Sequence, residues 1–126
     1  MARILIVEDS DQLRNGLERA LTQAGYDVVT AENGGRAIAI FESSDPTSPG
    51  VDLVVTDINM PETDGIELIL SLRERQPALP VLAISGGGLV PKEHLLEDAH
   101  ALGATEVLEK PFLLPVFVEA IERLLR

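Results

Sequence analysis

Two hydrophobic periods alternate along this chain. Ile4-Leu5-Ile6-Val7 is an unbroken, largely β-branched run, after which Leu13, Leu17, Ala20, Leu21 and Ala24 recur at the spacing that lines one face of a helix. Ser10 stands where an N-cap belongs and Gly25 where a helix closes, so the pattern predicts a strand, a helix and a stop. The unit then repeats. Residues 27–30 read as a second strand, and Asn33 as the cap of a helix carrying Ala37, Ile38, Ile40 and Phe41. Residues 51–57 read as a third strand, and Ile66, Leu68, Ile69 and Leu72 mark a third helix. Residues 79–84 form a fourth strand, Pro91 opens a fourth helix that ends at Gly103, and residues 104–108 give the last strand. Pro115 opens a fifth helix through VFVEAIERLL. Only residues 43–50, rich in Ser, Pro and Gly, interrupt this rhythm, as a surface excursion long for such a connection.

Five strands alternating with five helices predict parallel strands joined by helical crossovers. Runs such as ILIV and PVLAI carry no polar face, as strands covered by helices on both sides require. The predicted fold is an α/β doubly wound five-stranded sheet in the flavodoxin-like order 2-1-3-4-5, filling residues 1–126 as a single domain. In such sheets ligands gather beyond the carboxyl ends of the strands, where the winding reverses.

The residues at those ends are chemical. The first strand runs into Glu8-Asp9, the third ends in Asp57, the fourth in Ser85 and the fifth in Lys110-Pro111. Close carboxylates in a partly dehydrated cleft favour protonation unless a cation neutralises them. With no His or Cys beside them, these oxygens suit a hard divalent ion, and Mg²⁺ fits because it is commonly held by one or two carboxylates together with water and phosphate. Lys110 supplies a compact positive charge and Ser85 a hydroxyl, a pair suited to phosphoryl oxygens. Asp57 is the expected acceptor, since Glu8 and Asp9 are an adjacent pair fitted to metal while Asp57 stands alone before Asn59-Met60-Pro61. Taken singly these residues are ordinary. Ser85 alone reads as a turn former, and His94 and His100 read as plain residues of the fourth helix.

Charge narrows the partners. Twenty-one Asp and Glu against ten Lys and Arg give a formal charge of -11, which repels phosphate backbones and anionic lipid, so neither direct nucleic-acid nor membrane binding is expected. The absence of Cys excludes disulfides and thiolate chemistry. No signal-peptide core and no long apolar run occur, and a cytoplasmic location is expected.

The stretches ILIVEDS, DLVVTDINMPETDGIEL, VLAISG and GATEVLEKPF, in that order, resemble the receiver domain of response regulators over essentially the whole chain. The resemblance implies a phosphorylation-dependent switch of a two-component or phosphorelay system, not an enzyme, fed by a histidine kinase or histidine phosphotransfer protein and read by a downstream protein. It also implies that Asp57 is the phospho-acceptor, Asp9 a direct Mg²⁺ ligand, Glu8 a ligand through water, and Asn59 a ligand through its backbone carbonyl. Ser85 resembles the switch hydroxyl and Lys110 the lysine that holds a phosphoryl oxygen, with a cis bond to Pro111. Two features depart from the family's habit. Val107 stands where an aromatic ring often swings inward, and Gly86-Gly87-Gly88 follows Ser85 where side chains are more usual.

Three other readings compete. A hydrolase of the haloacid-dehalogenase type needs a second Asp two residues past the nucleophile, where this chain has Asn59. A cofactor-binding flavodoxin-like module needs a phosphate-cradling loop where Glu8-Asp9 would repel one. A phosphorylation-independent interaction module would have no use for the full set of acids, hydroxyl and lysine. The last predicted helix reaches almost to Arg126, so the chain is expected to be a receiver alone or a piece of a longer regulator.

Overall fold

The computed structural model describes residues 2–42, 50–58, 65–86 and 103–126. Its strands are β1 (Arg3–Val7), β2 (Asp27–Ala31), β3 (Leu53–Asp57), β4 (Val81–Gly86) and β5 (Glu106–Lys110), and its helices α1 (Asp11–Gln23), α2 (Gly34–Phe41), α3 (Gly65–Arg75) and α4 (Leu114–Leu124). All strand pairs are parallel and the order is β2-β1-β3-β4-β5, as predicted. The predicted fourth helix and the breaker-rich stretch from Ser43 to Pro49 lie outside the described residues.

Alternation along the central strands sorts their side chains between two cores. Leu5, Val7, Val54, Val81 and Ala83 face Ala37 of α2 and Leu68, Ile69 and Leu72 of α3. Their neighbours Ile4, Ile6, Leu53, Val55, Leu82 and Ile84 face Leu17 and Leu21 of α1 and Phe117, Ala120 and Ile121 of α4. Burial on both faces therefore holds for β1, β3 and β4, which is why their sequences are apolar without a break. It does not hold at the edges. β2 buries only Ala31 fully, and every residue of β5 is half-buried.

The predicted caps form. Ser10 Oγ accepts from the Leu13 N–H at 3.3 Å, and Asn33 Oδ1 accepts from the Arg36 N–H at 2.8 Å. Gly25, at φ 98°, closes α1 while the Gly25 and Tyr26 N–H groups return to the Thr22 and Leu21 carbonyls. α4 begins at Leu114, so Pro115 is its second residue, and Leu113 caps it without a side-chain hydrogen bond. Strand bounds move more. β3 starts at Leu53 rather than residue 51, β4 spans 81–86 rather than 79–84 and takes in Ser85 and Gly86, and β5 runs two residues later than predicted. The reason for the last shift is charge: Glu106, Glu109 and Lys110 belong to an edge strand, where charged side chains discourage further pairing, and their polarity hid the strand's true extent.

One side chain secures the far end of the sheet. Arg73, near the end of α3, donates to the Gly103 carbonyl at 2.6 Å, the Pro77 carbonyl at 3.0 Å, the Leu79 carbonyl, and Thr105 Oγ1 at 3.2 Å. Thr105 Oγ1 also accepts from the Val81 N–H at 3.0 Å, so the starts of β4 and β5 are tied through one hydroxyl. Gly103 sits at φ 89°, and a Cβ there would meet Arg73 Cγ at 3.0 Å, which explains a glycine at this turn. Arg73→Ala should lower unfolding free energy by about 2 kcal/mol in urea titration, because partly buried carbonyls lose a charged donor. A change under about 0.5 kcal/mol, the range of ordinary surface substitutions, would show that water replaces the guanidinium freely. Among the described residues, no helix is long and apolar enough to cross a membrane.

Candidate functional site

The strand register brings the chemical residues to one rim. Val7 of β1 pairs with Thr56, Asp57 of β3 pairs with Ile84, and Gly86 of β4 pairs with Lys110. Asp57 and Lys110 thus end their strands, Ser85 comes one residue before the end of β4, and Glu8 follows β1 directly. The Glu8 N–H continues the strand by donating to the Ala31 carbonyl at 3.1 Å, and the Ser10 N–H donates to Glu8 Oε1 at 3.2 Å. Glu8 is 1% exposed, Asp57 and Ser85 are each 3% exposed, and Asp9 faces solvent.

One carboxylate oxygen from each of Glu8, Asp9 and Asp57 lies within 4.8 Å of the other two. Lys110 Nζ donates to Asp57 Oδ2 at 3.0 Å and stands 3.5 Å from Glu8 Oε2. Among the described residues, three carboxylates against one ammonium leave an excess of negative charge at the rim. Two groups register it. Burial pushes the Glu8 carboxyl up from 4.5 to about 7; the Ser10 N–H opposes this, the Asp57 charge adds to it, and Lys110 again opposes it. Burial works against the Lys110 charge, but the hydrogen bond to Asp57 and the charges of Asp57 and Glu8 outweigh it and hold the ammonium above its usual range. Glu8 Oε2 is buried with no hydrogen-bond donor among the described residues.

A carboxyl whose pKa rises on folding is protonated more readily in the folded chain than in the unfolded one. Below about pH 4.5 both states hold the proton, and above about 7 neither does. Between these limits the metal-free protein should lose stability as pH rises, by roughly 1.4 kcal/mol per pH unit at most and about 3 kcal/mol in total from this residue. Urea unfolding in chelator at pH 5 and pH 7.5, with Glu8→Gln as reference, checks this. The variant should show the smaller fall.

Of the six residues the sequence nominates, the structure brings Glu8, Asp9, Asp57 and Lys110 together and places Ser85, buried, at the same rim. Asn59 lies outside the described residues, as do Gly87 and Gly88, while Gly86 proves to be the last residue of β4 rather than part of a loop. Val107 is half-buried against the α2/α3 core, and the Lys110-Pro111 bond is cis. Sequence reasoning missed Arg14. Its Nη1 donates to the Glu8 carbonyl at 2.8 Å while Nη2 pairs with Asp11. The i,i+3 spacing of Asp11 and Arg14 was the available signal, but it speaks only of a helix-surface pair and not of the carbonyl.

The chain as a whole is similar to known proteins. The family described as response regulator receiver domain matches residues 4–122. The chain is 40% identical over 125 residues to the response regulator receiver protein CpdR of Brucella abortus, covering 99% of this chain and 98% of that one. It belongs to the response regulator receiver domain family. Its place in the cell's chemistry is that of a two-component signalling switch, and its family is one of phospho-accepting domains that meet histidine kinases or phosphotransfer proteins and downstream effectors. The receiver is also 34% identical to the transcriptional regulatory protein PrrA of Mycobacterium tuberculosis, with 98% of this chain matching 50% of that protein. Against the transcriptional regulator DctD of Pseudomonas aeruginosa it is 37% identical and spans 25% of the length. Among solved structures, CheY4 of Vibrio cholerae superposes with a TM-score of 0.83 at 29% identity, covering 98% of both chains. TrrA of Thermotoga maritima, solved with Mg²⁺ and BeF, gives a TM-score of 0.80 at 29% identity, covering 98% of this receiver and 99% of TrrA.

Proposed function

We propose that Asp57 is the residue that takes the phosphoryl group, in a Mg²⁺-dependent reaction whose donor is a phosphohistidine on a kinase or a phosphotransfer protein. The observation that carries this is the ammonium of Lys110, 3.0 Å from Asp57 Oδ2 and 3.5 Å from Glu8 Oε2, at the rim of a partly buried acidic cluster. An Asp57 oxygen attacks phosphorus, the bond from phosphorus to the donor nitrogen or oxygen breaks, and the donor departs with that electron pair. Lys110 then neutralises a phosphoryl oxygen from the position it already holds beside Asp57, so little reorganisation is needed as charge develops. Ser85, buried one residue before the end of the neighbouring strand, is the hydroxyl that donates to another phosphoryl oxygen.

The acidic cluster fits a divalent cation. Its donors are all carboxylate oxygens, one of them buried without a hydrogen-bond donor among the described residues, and a divalent charge would offset the negative charge that Lys110 leaves over there. Asp9 and Asp57 would hold Mg²⁺ directly and Glu8 through water, with the backbone of Asn59 as a further ligand. When bound, Mg²⁺ supplies charge neutralisation for the phosphoryl oxygens. The resulting acyl phosphate changes the surface that a downstream partner reads. The test is whether the chain, incubated with acetyl phosphate and Mg²⁺, gains one phosphoryl group by intact mass. No gain under conditions where the protein is folded overturns this assignment.

A further inference from the structure

Arg14 joins α1 to the acidic pair. Glu8 lies one residue beyond β1, and although its N–H extends the ladder to β2, its carbonyl must find a partner outside that ladder. The N–H goes to Ala31 and the carbonyl goes to Arg14 Nη1 at 2.8 Å. Nη2 of the same guanidinium pairs with the Asp11 carboxylate, and the Arg14 side chain is only 15% exposed. The plane of the peptide between Glu8 and Asp9 decides how one acid turns into the protein while the next turns out, with both still reaching Asp57.

We infer that Arg14 is a positioning residue for the cation site: its guanidinium holds the Glu8 carbonyl and, anchored by Asp11, sets the peptide from which Glu8 and Asp9 project. The inference rests on the reading of the acidic cluster as a Mg²⁺ site. The planar fork of Arg suits the task because one nitrogen binds the carbonyl while the other is oriented by a carboxylate. Its work is geometric, since it binds a neutral carbonyl, whereas Lys110 is the cation that stands against the carboxylates themselves. Groups that orient metal ligands from behind commonly change metal affinity by about 10- to 100-fold when removed.

The experiment is a calorimetric Mg²⁺ titration of the whole chain and of Arg14→Met, Arg14→Lys, Asp11→Asn and Arg19→Met, with thermal unfolding followed in parallel. Arg19 lies on α1 and lines a surface groove with Asn15, Glu18, Thr22 and Gln23, so its variant reports what loss of a helix arginine does by itself. Arg14→Met should weaken Mg²⁺ about tenfold relative to Arg19→Met. Arg14→Lys should recover only part of that, and Asp11→Asn should show a smaller loss in the same direction. Affinity in Arg14→Met within about twofold of Arg19→Met, or full recovery in Arg14→Lys, overturns the positioning role; the second result would assign the effect to charge. Should Arg14→Met fail to fold, Asp11→Asn decides, and unchanged affinity there overturns the inference. If the unaltered chain binds no Mg²⁺, the reading of the cluster falls, and the role of Arg14 with it.

Discussion

Asp57→Asn should gain no phosphoryl group from acetyl phosphate and Mg²⁺, while the unaltered chain gains one, as read by intact mass. The amide keeps the volume and most of the hydrogen-bonding capacity of the carboxylate but loses the nucleophilic oxygen, so the fold should survive and the chemistry should not. Asp57 is buried at the end of β3 with Lys110 Nζ 3.0 Å away, and no other acid in the cluster has this position. Glu8 is buried behind it with the Lys110 ammonium 3.5 Å off, and Asp9 faces solvent. Neither is expected to accept in its place. An undiminished mass gain in Asp57→Asn would move the acceptor elsewhere and break the proposed roles of Lys110 and Ser85 together.

Removal of divalent metal should have the next largest effect. Among the described residues, three carboxylates and one ammonium leave excess negative charge at the point an anionic phosphoryl donor must approach. Relieving that repulsion is worth several kcal/mol, so phosphorylation in chelator should slow by about a thousandfold or more. Within the cluster the two neighbouring acids should differ. Asp9→Ala should weaken Mg²⁺ more than Glu8→Ala, because a direct ligand outweighs one acting through water. Calorimetric titration of both variants checks the order, and equal losses would contradict it. A phosphorylation rate unaffected by chelator would exclude the cation from the reaction.

The first of these predictions needed very little beyond the sequence. Glu8-Asp9, Asp57, Ser85 and Lys110 each follow or close an apolar run, and parallel strands of a doubly wound sheet carry such residues to one rim whatever the details of packing. The strands, the caps at Ser10 and Asn33 and the stop at Gly25 were legible because hydrophobic period and local capping chemistry are short-range properties, and strand order followed from the doubly wound architecture they imply. The extent of β5 was not, because an edge strand is free to be charged, and Glu106, Glu109 and Lys110 read as loop until a partner strand sets their register.

Only the tertiary structure decided how the acids divide their work. Adjacent in sequence, Glu8 and Asp9 differ completely in burial: Glu8 is enclosed with its carboxyl pushed up to about 7, and Asp9 faces water. That difference arises from where the chain turns after β1, which the Ala31 carbonyl, the Ser10 N–H and the Arg14 guanidinium settle from three separate places. The tie of Arg73 across the starts of β4 and β5 is likewise invisible in one dimension, since Gly103 and Thr105 come 30 and 32 residues later. Apolar pattern determines which residues must be inside and at which end of the sheet the polar ones gather. Long-range hydrogen bonds and the shared field of neighbouring charges determine what each of those polar residues can then do, and both exist only once the strands are side by side.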